Sequence, residues 1–283
     1  MSRPFSPSSP VPQAPMVPRC PSLASITRGA GADLVLLHGG VGSWTHWLRN
    51  LPELARHYRV RAFDLPGFGA SPDFPEGLDD SAYFQWVAEA ILAESRGPIR
   101  LVGFSFGGSV AAPVAALLGK RLAALTLVAP GGFGVPTERN VTVKPLRARK
   151  GVSIDERAAA RHNLSQVMLA DPANVDEATI DLHLRNVARA RFNSRRVSWQ
   201  DRLQADLAPL CSPLQMIWGA QDRMATPSVE ARAERCRRVR PGIRFDLIPQ
   251  SGHWVQYERP AAFNAAVLEF LEEHPQPSHR SVT

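Results

Sequence analysis

The chain has 283 residues, 44% of them hydrophobic, enough for one enzyme-sized domain with an insertion. Its formal charge of +7 and pI near 10.0 raise nucleic acid as a partner, but the basic residues gather around positions 144–150, 185–202 and 232–240 without interleaved aromatics or a nucleic-acid motif, so a solvated basic surface is expected instead. No apolar run would span a bilayer and no basic-then-apolar leader opens the chain, which points to a cytoplasmic protein; Cys20, Cys211 and Cys236 lack metal-site spacing and read as free thiols.

Residues 1–21 are crowded with proline and serine and have little to bury, so a disordered tail is expected. Strand-like runs follow at 23–28 and 33–37, the second ending in His38-Gly39-Gly40. Two glycines let the backbone approach a developing oxyanion, so the Gly40 N–H is a candidate oxyanion donor and Gly39 a candidate substrate contact. His38, at the end of a buried strand, is expected to tie down its own loop. A strand at 58–63 leads to Asp64, which stands before a Pro-Gly turn and reads as its brace. Helical spacing over 81–95 predicts a crossover helix with Ser81 as N-cap.

The run Gly103-Phe104-Ser105-Phe106-Gly107 is a G-x-S-x-G between an apolar strand at 99–104 and an alanine-rich helix at 108–118. This is the pattern of a nucleophile elbow, in which strain on a strand-to-helix turn exposes the serine hydroxyl and the flanking glycines permit close strand–helix approach. The N–H of Phe106, next after the serine, is the second candidate oxyanion donor. A further strand at 122–128 is followed by residues 129–213, which are helical and arginine-rich and read as a cap over Ser105. Within it His162 and His183 have no metal-binding partner four residues on and are expected at the surface.

A strand running from 213 ends just before Asp222, and another from 243 ends before His253. A serine hydroxyl needs an imidazole to take its proton, and the imidazole needs a carboxylate to hold its tautomer, so Ser105, His253 and Asp222 are the candidate catalytic residues. A helix at 260–273 closes the fold and residues 274–283 form a flexible tail. Strands alternating with helices predict an α/β fold, a mostly parallel sheet with helices on both faces, its core at 22–128 and 214–273. Trp44, Trp47, Phe104, Phe106 and Trp254 read as core and pocket aromatics, favouring an apolar or aromatic substrate.

Taken together, His38-Gly39-Gly40, the 63–71 turn, Gly103-Phe104-Ser105-Phe106-Gly107-Gly108, Trp218-Gly219-Ala220-Gln221-Asp222 and Ser251-Gly252-His253-Trp254 resemble the α/β-hydrolase superfamily over residues 25–272. Within it, the stretch from Gly252 to Glu258 followed by Phe263-Asn264 is most similar to the meta-cleavage product hydrolases, which cleave carbon–carbon bonds in dienoic acids. That family carries asparagine before the nucleophile, where this chain has Phe104. Phe104 and Trp254, adjoining Ser105 and His253 in sequence, are candidate substrate contacts, and the resemblance implies a cap-helix arginine, here Arg185, aimed at a substrate carboxylate. The expected function is hydrolysis of a small ester, lactone or vinylogous ketone, with a small-molecule substrate, no cofactor and no metal, and with homo-oligomerisation left open. The alternative is a non-hydrolytic use of the fold, such as ligand sensing or cofactor-free oxygenation.

Overall fold

The computed structural model describes residues 18–136, 141–147 and 154–275; most of the expected N-terminal tail and all but two residues of the expected C-terminal tail lie outside these. Seven strands form one sheet: β1 (Ser25–Arg28), β2 (Asp33–Leu37), β3 (Arg59–Phe63), β4 (Ile99–Phe104), β5 (Leu122–Val128), β6 (Leu214–Gly219) and β7 (Arg244–Ile248). Their order is β1-β3-β2-β4-β5-β6-β7, with β1 antiparallel to β3 and every other pair parallel. The central strands β2, β4, β5 and β6 are buried at every position, which is why they read as unbroken apolar runs rather than alternating ones.

The helices are α1 (Leu51–Leu54), α2 (Asp80–Glu94), α3 (Phe106–Leu118), α4 (Glu156–Asn163), α5 (Glu177–Ala188), α6 (Arg195–Ser198), α7 (Leu203–Leu207), α8 (Val229–Val239), α9 (Val255–Glu258) and α10 (Pro260–Glu273). Asp79, not Ser81, caps α2: its carboxylate accepts the Ala82 N–H at 2.9 Å. Aspartate and serine serve equally well as N-caps, so sequence alone does not separate two candidates two residues apart. Helix α8 falls where only a basic patch was expected, and Arg232 within it is buried, stacked over Phe133 and bonded to the carbonyls of Met224 and Thr226. An arginine whose fork meets backbone carbonyls loses little by leaving water, and the solvated reading fails there. Between β5 and β6 the described residues hold helical turns, α4 to α7, and a single isolated bridge, Phe133 with Asp201.

The sheet's carboxyl edge is shaped by how closely α3 lies on it. A Cβ on Gly103 would come within 2.4 Å of the Gly107 carbonyl, and one on Gly107 within 2.4 Å of the His38 carbonyl. Both obstacles are backbone and cannot swing aside. Gly107→Ala should therefore cost about 1–3 kcal/mol of stability, read as a fall in denaturant midpoint. An unchanged midpoint would mean that α3 has slack against β2.

Candidate active site

Three loops at that edge converge. Ser105 joins β4 to α3 at φ 52° and ψ −112°, outside the regions that a residue with a Cβ ordinarily occupies. Its N–H donates to Val128 at 2.8 Å, and its carbonyl accepts from Gly108, Ser109 and Gly131 at 2.9–3.1 Å, so neighbouring backbone holds the strained turn. Asp222 follows β6 and His253 follows β7. His253 Nε2 lies 2.9 Å from Ser105 Oγ, and its Nδ1 lies 2.9 Å from Asp222 Oδ2. The other oxygen of Asp222 accepts the Met224 N–H at 2.8 Å, which fixes the carboxylate plane. With Nδ1–H donated to the carboxylate, Nε2 is left as an acceptor for the serine hydroxyl.

Gly40 and Phe106 line the same cavity as Ser105. Neither of their backbone N–H groups donates to a protein acceptor among the described residues, which leaves two donors beside the hydroxyl. His38 lies behind them, donating from Nδ1 to the Gly39 carbonyl at 2.7 Å and accepting the Leu65 N–H on Nε2 at 3.0 Å, so both ring nitrogens are spent on loops. Asp64 is likewise a brace, accepting N–H groups from Trp44 at 2.8 Å and Ala70 at 2.9 Å.

The cavity, about 240 Å³, is bounded by core residues on one side and by Val143, Leu146, Val167, Met168 and Trp199 of the insertion on the other. Phe104 lines it. Gly39 does not; its N–H donates to His46 Nδ1 at 3.2 Å. Trp254 is fully buried away from the cavity, stacked 4.0 Å from Tyr257 and donating its indole N–H to the His46 carbonyl at 3.1 Å. Arg185 lies on the exposed face of α5, outside the cavity wall. His183, expected at the surface, is instead buried and lines the cavity. Its spacing explains this: Ile180, His183 and Val187 fall on one buried stripe of α5, and Arg185 falls off it. That spacing is visible in the sequence and is the signal that places His183 inside. Arg195 and Arg223, which sequence did not single out, line the cavity as exposed residues.

Four imidazoles collect here, and burial keeps three of them neutral. Burial holds His38 down to about 4 against a hydrogen bond to Gly39, and His183 down to about 4. His46 is pushed well below the usual range by burial and then by His38, His183 and His253. In the unfolded chain each takes up a proton near pH 6.5, so their stabilising contribution is present above that pH and lost as pH falls towards 4. His183→Gln should reduce the stability lost between pH 7 and pH 5 by about 2 kcal/mol relative to wild type, measured by denaturant titration at both. An identical loss would mean that His183 is not buried as a neutral ring.

Sequence reasoning also missed Glu258. Its buried carboxylate accepts N–H groups from Gly252 at 2.7 Å, Ala170 at 2.9 Å and Asp171 at 2.6 Å, so one side chain ties the His253 loop to the insertion. The Trp254 N–H adds a bond to the Met168 carbonyl at 2.8 Å. An acid five residues past His253, in a stretch with two aromatic residues, was the signal available in sequence. Glu258→Gln sets an amide NH2 against a backbone donor and should lower stability by about 1.5–3 kcal/mol, checked by thermal and denaturant unfolding. A neutral effect would show that the carboxylate is dispensable to the junction.

Among the described residues no helix is long and apolar enough to cross a membrane, and no cluster of His, Cys, Asp or Glu could hold a metal ion. The chain matches the alpha/beta hydrolase family over residues 34–266. It is 30% identical over 252 residues to the dihydrolipoyllysine-residue acetyltransferase component of the acetoin cleaving system of Pseudomonas putida, covering 86% of this chain but only 64% of that longer protein. It is 30% identical over 261 residues to the 2-hydroxymuconate semialdehyde hydrolase of Pseudomonas sp. strain CF600, covering 87% of this chain and 88% of that one. A meta-cleavage product hydrolase from Pseudomonas fluorescens IP01 shares the fold, with a TM-score of 0.71 at 23% identity over 89% of this chain and 94% of the other. The chain belongs to the alpha/beta hydrolase family, with similarity inside it to the carbon–carbon bond hydrolases.

Proposed function

We propose that the chain is a serine hydrolase acting on a small, mainly apolar ester, lactone or vinylogous ketone, with Ser105 as nucleophile, His253 as general base and Asp222 as the residue that orients it. The observation that carries this reading is the unbroken hydrogen-bonded line from Asp222 through His253 to Ser105 Oγ, opening on an apolar cavity. As Oγ attacks the substrate carbonyl, its proton passes to His253 Nε2 and the new oxyanion is received by the N–H groups of Gly40 and Phe106. Collapse of the tetrahedral adduct expels the leaving group with the proton from His253. Water then gives a proton to His253, attacks the acyl carbon and releases the acid, returning the proton to Ser105. The insertion acts as a cap that keeps bulk water from the acyl-enzyme.

The 2-hydroxymuconate semialdehyde hydrolase supports the vinylogous-ketone end of this range. The placement of Phe104 in the cavity and Arg185 outside it favours the ester and lactone end.

A fluorophosphonate probe should label the wild-type protein at Ser105, with labelling and p-nitrophenyl butyrate turnover both lost in Ser105→Ala; an intact triad is worth on the order of a millionfold in rate in a serine protease. Asp222→Asn should cut turnover by about 10⁴ by favouring the wrong imidazole tautomer. Labelling or turnover that survives in Ser105→Ala would overturn the mechanism, and a mild Asp222→Asn would assign the orienting role to another acid.

A further inference from the structure

Helix α5 presents three buried polar side chains on one stripe towards the core: Thr179, His183 and Asn186. The outer two are satisfied across the interface. Thr179 Oγ1 lies 2.8 Å from the Tyr257 hydroxyl, while Asn186 accepts from Ser43 Oγ at 2.8 Å and donates to Thr45 Oγ1 at 3.0 Å. The middle one is not. Among the described residues neither ring nitrogen of His183 has a hydrogen-bond partner, its Nε2 being buried, although only 9% of the residue is exposed, and the ring lines the cavity that holds Ser105. Leaving a buried polar group unpaired is costly, so a site that retains one gains by pairing it when something binds.

His46 also lines this cavity, on the turn that Ser43 and Thr45 fasten to α5. Its Nδ1 accepts the Gly39 N–H, so its proton resides on Nε2, and that N–H has no protein acceptor among the described residues. His183 is near enough to add to the burial that disfavours protonation of His46.

We propose that His183 and His46 form a neutral hydrogen-bonding subsite for a carbonyl or hydroxyl oxygen of the substrate, so that the preferred substrate is an uncharged oxo- or hydroxy-bearing ester or lactone. This rests on the serine-hydrolase reading and narrows it. A carboxylate would be poorly received at this wall, because imidazoles that burial holds neutral offer it no counter-charge. The charged residues on the cavity do not change that. Arg195 stacks over Trp199 and Arg223 donates to the Ser165 carbonyl, and both are exposed, with their charges in water.

The test compares kcat/KM for three p-nitrophenyl esters with the full chain: levulinate, valerate and the succinate monoester. They present a ketone, a methylene and a carboxylate at the same distance from the scissile carbonyl, and the rate with Ser105→Ala is subtracted as the blank. Wild type should prefer levulinate to valerate by about fivefold to tenfold, the worth of one hydrogen bond, with the succinate monoester below both. His183→Leu should bring the levulinate-to-valerate ratio to about one, and His183→Gln, which keeps a donor and an acceptor, should restore most of it. The ratio is insensitive to partial unfolding, which lowers both rates together. A wild-type ratio near one, a ratio that survives in His183→Leu, or a preference for the succinate monoester would each overturn the subsite while leaving the hydrolase reading standing. Absence of any Ser105-dependent turnover would overturn the hydrolase reading and the subsite with it.

Discussion

Backbone strain is concentrated at the carboxyl edge of the sheet. Among the described residues four non-glycine positions have positive φ: Val41 after β2, Ser105 after β4, Ala129 after β5 and Gln250 after β7. Each such conformation costs on the order of 1–3 kcal/mol and persists only where the surroundings over-determine it. Ser105 shows how. Parallel pairing with β5 brings Val128 to its N–H, the first turn of α3 and Gly131 meet its carbonyl, and glycines on both sides let α3 press onto β4 and β2. The hydroxyl is thereby held above the strand ends before any substrate arrives. The loops that bring Asp222 and His253 need only follow β6 and β7 in register to meet it.

The insertion is bonded into this edge by polar contacts rather than resting on it through apolar packing alone. Glu258 gathers Ala170, Asp171 and Gly252; Asn186 engages Ser43 and Thr45; and Thr179 meets Tyr257. Several of these join the insertion to residues adjoining Gly40 or His253. Lifting the insertion would therefore unpair buried groups beside the His253 loop and the turn after Gly40, so cavity shape and the placement of the acid–imidazole–serine line are energetically linked.

Much of this was legible in the sequence, for identifiable reasons. The strand runs, the elbow and the order of Ser105, Asp222 and His253 are local patterns, and local pattern is what a sequence states directly. The strand ends that carry Gly40, Phe106 and Phe104 were legible for the same reason. What failed was the direction of side chains on the insertion. Arg185 drew notice because its segment resembles a family cap helix, yet it lies two residues from His183 and so points elsewhere on the helix. Trp254 was expected at the cavity because it follows His253, but the chain turns into α9 at that point and buries the indole against Tyr257. Glu258 was invisible as a strut because its donors, Ala170 and Asp171, are distant in sequence and contribute only backbone N–H groups, which leave no mark on residue type.

The distribution of charge completes the argument. Despite a net charge of +7, arginine in this protein is often used as a rigid fork for backbone carbonyls: Arg232 holds the loop after Asp222 through Met224 and Thr226, and Arg121 grips the carbonyls of Ser95 and Gly97. Such arginines stiffen the scaffold without putting charge into the cavity. The cavity is lined mainly by aliphatic and aromatic side chains and by the neutral imidazoles of His46 and His183, with Arg195 and Arg223 at exposed positions on it. In surroundings of low polarity, dipoles act more strongly than they do in water. The N–H groups of Gly40 and Phe106, which have no protein acceptor among the described residues, are such dipoles on this cavity.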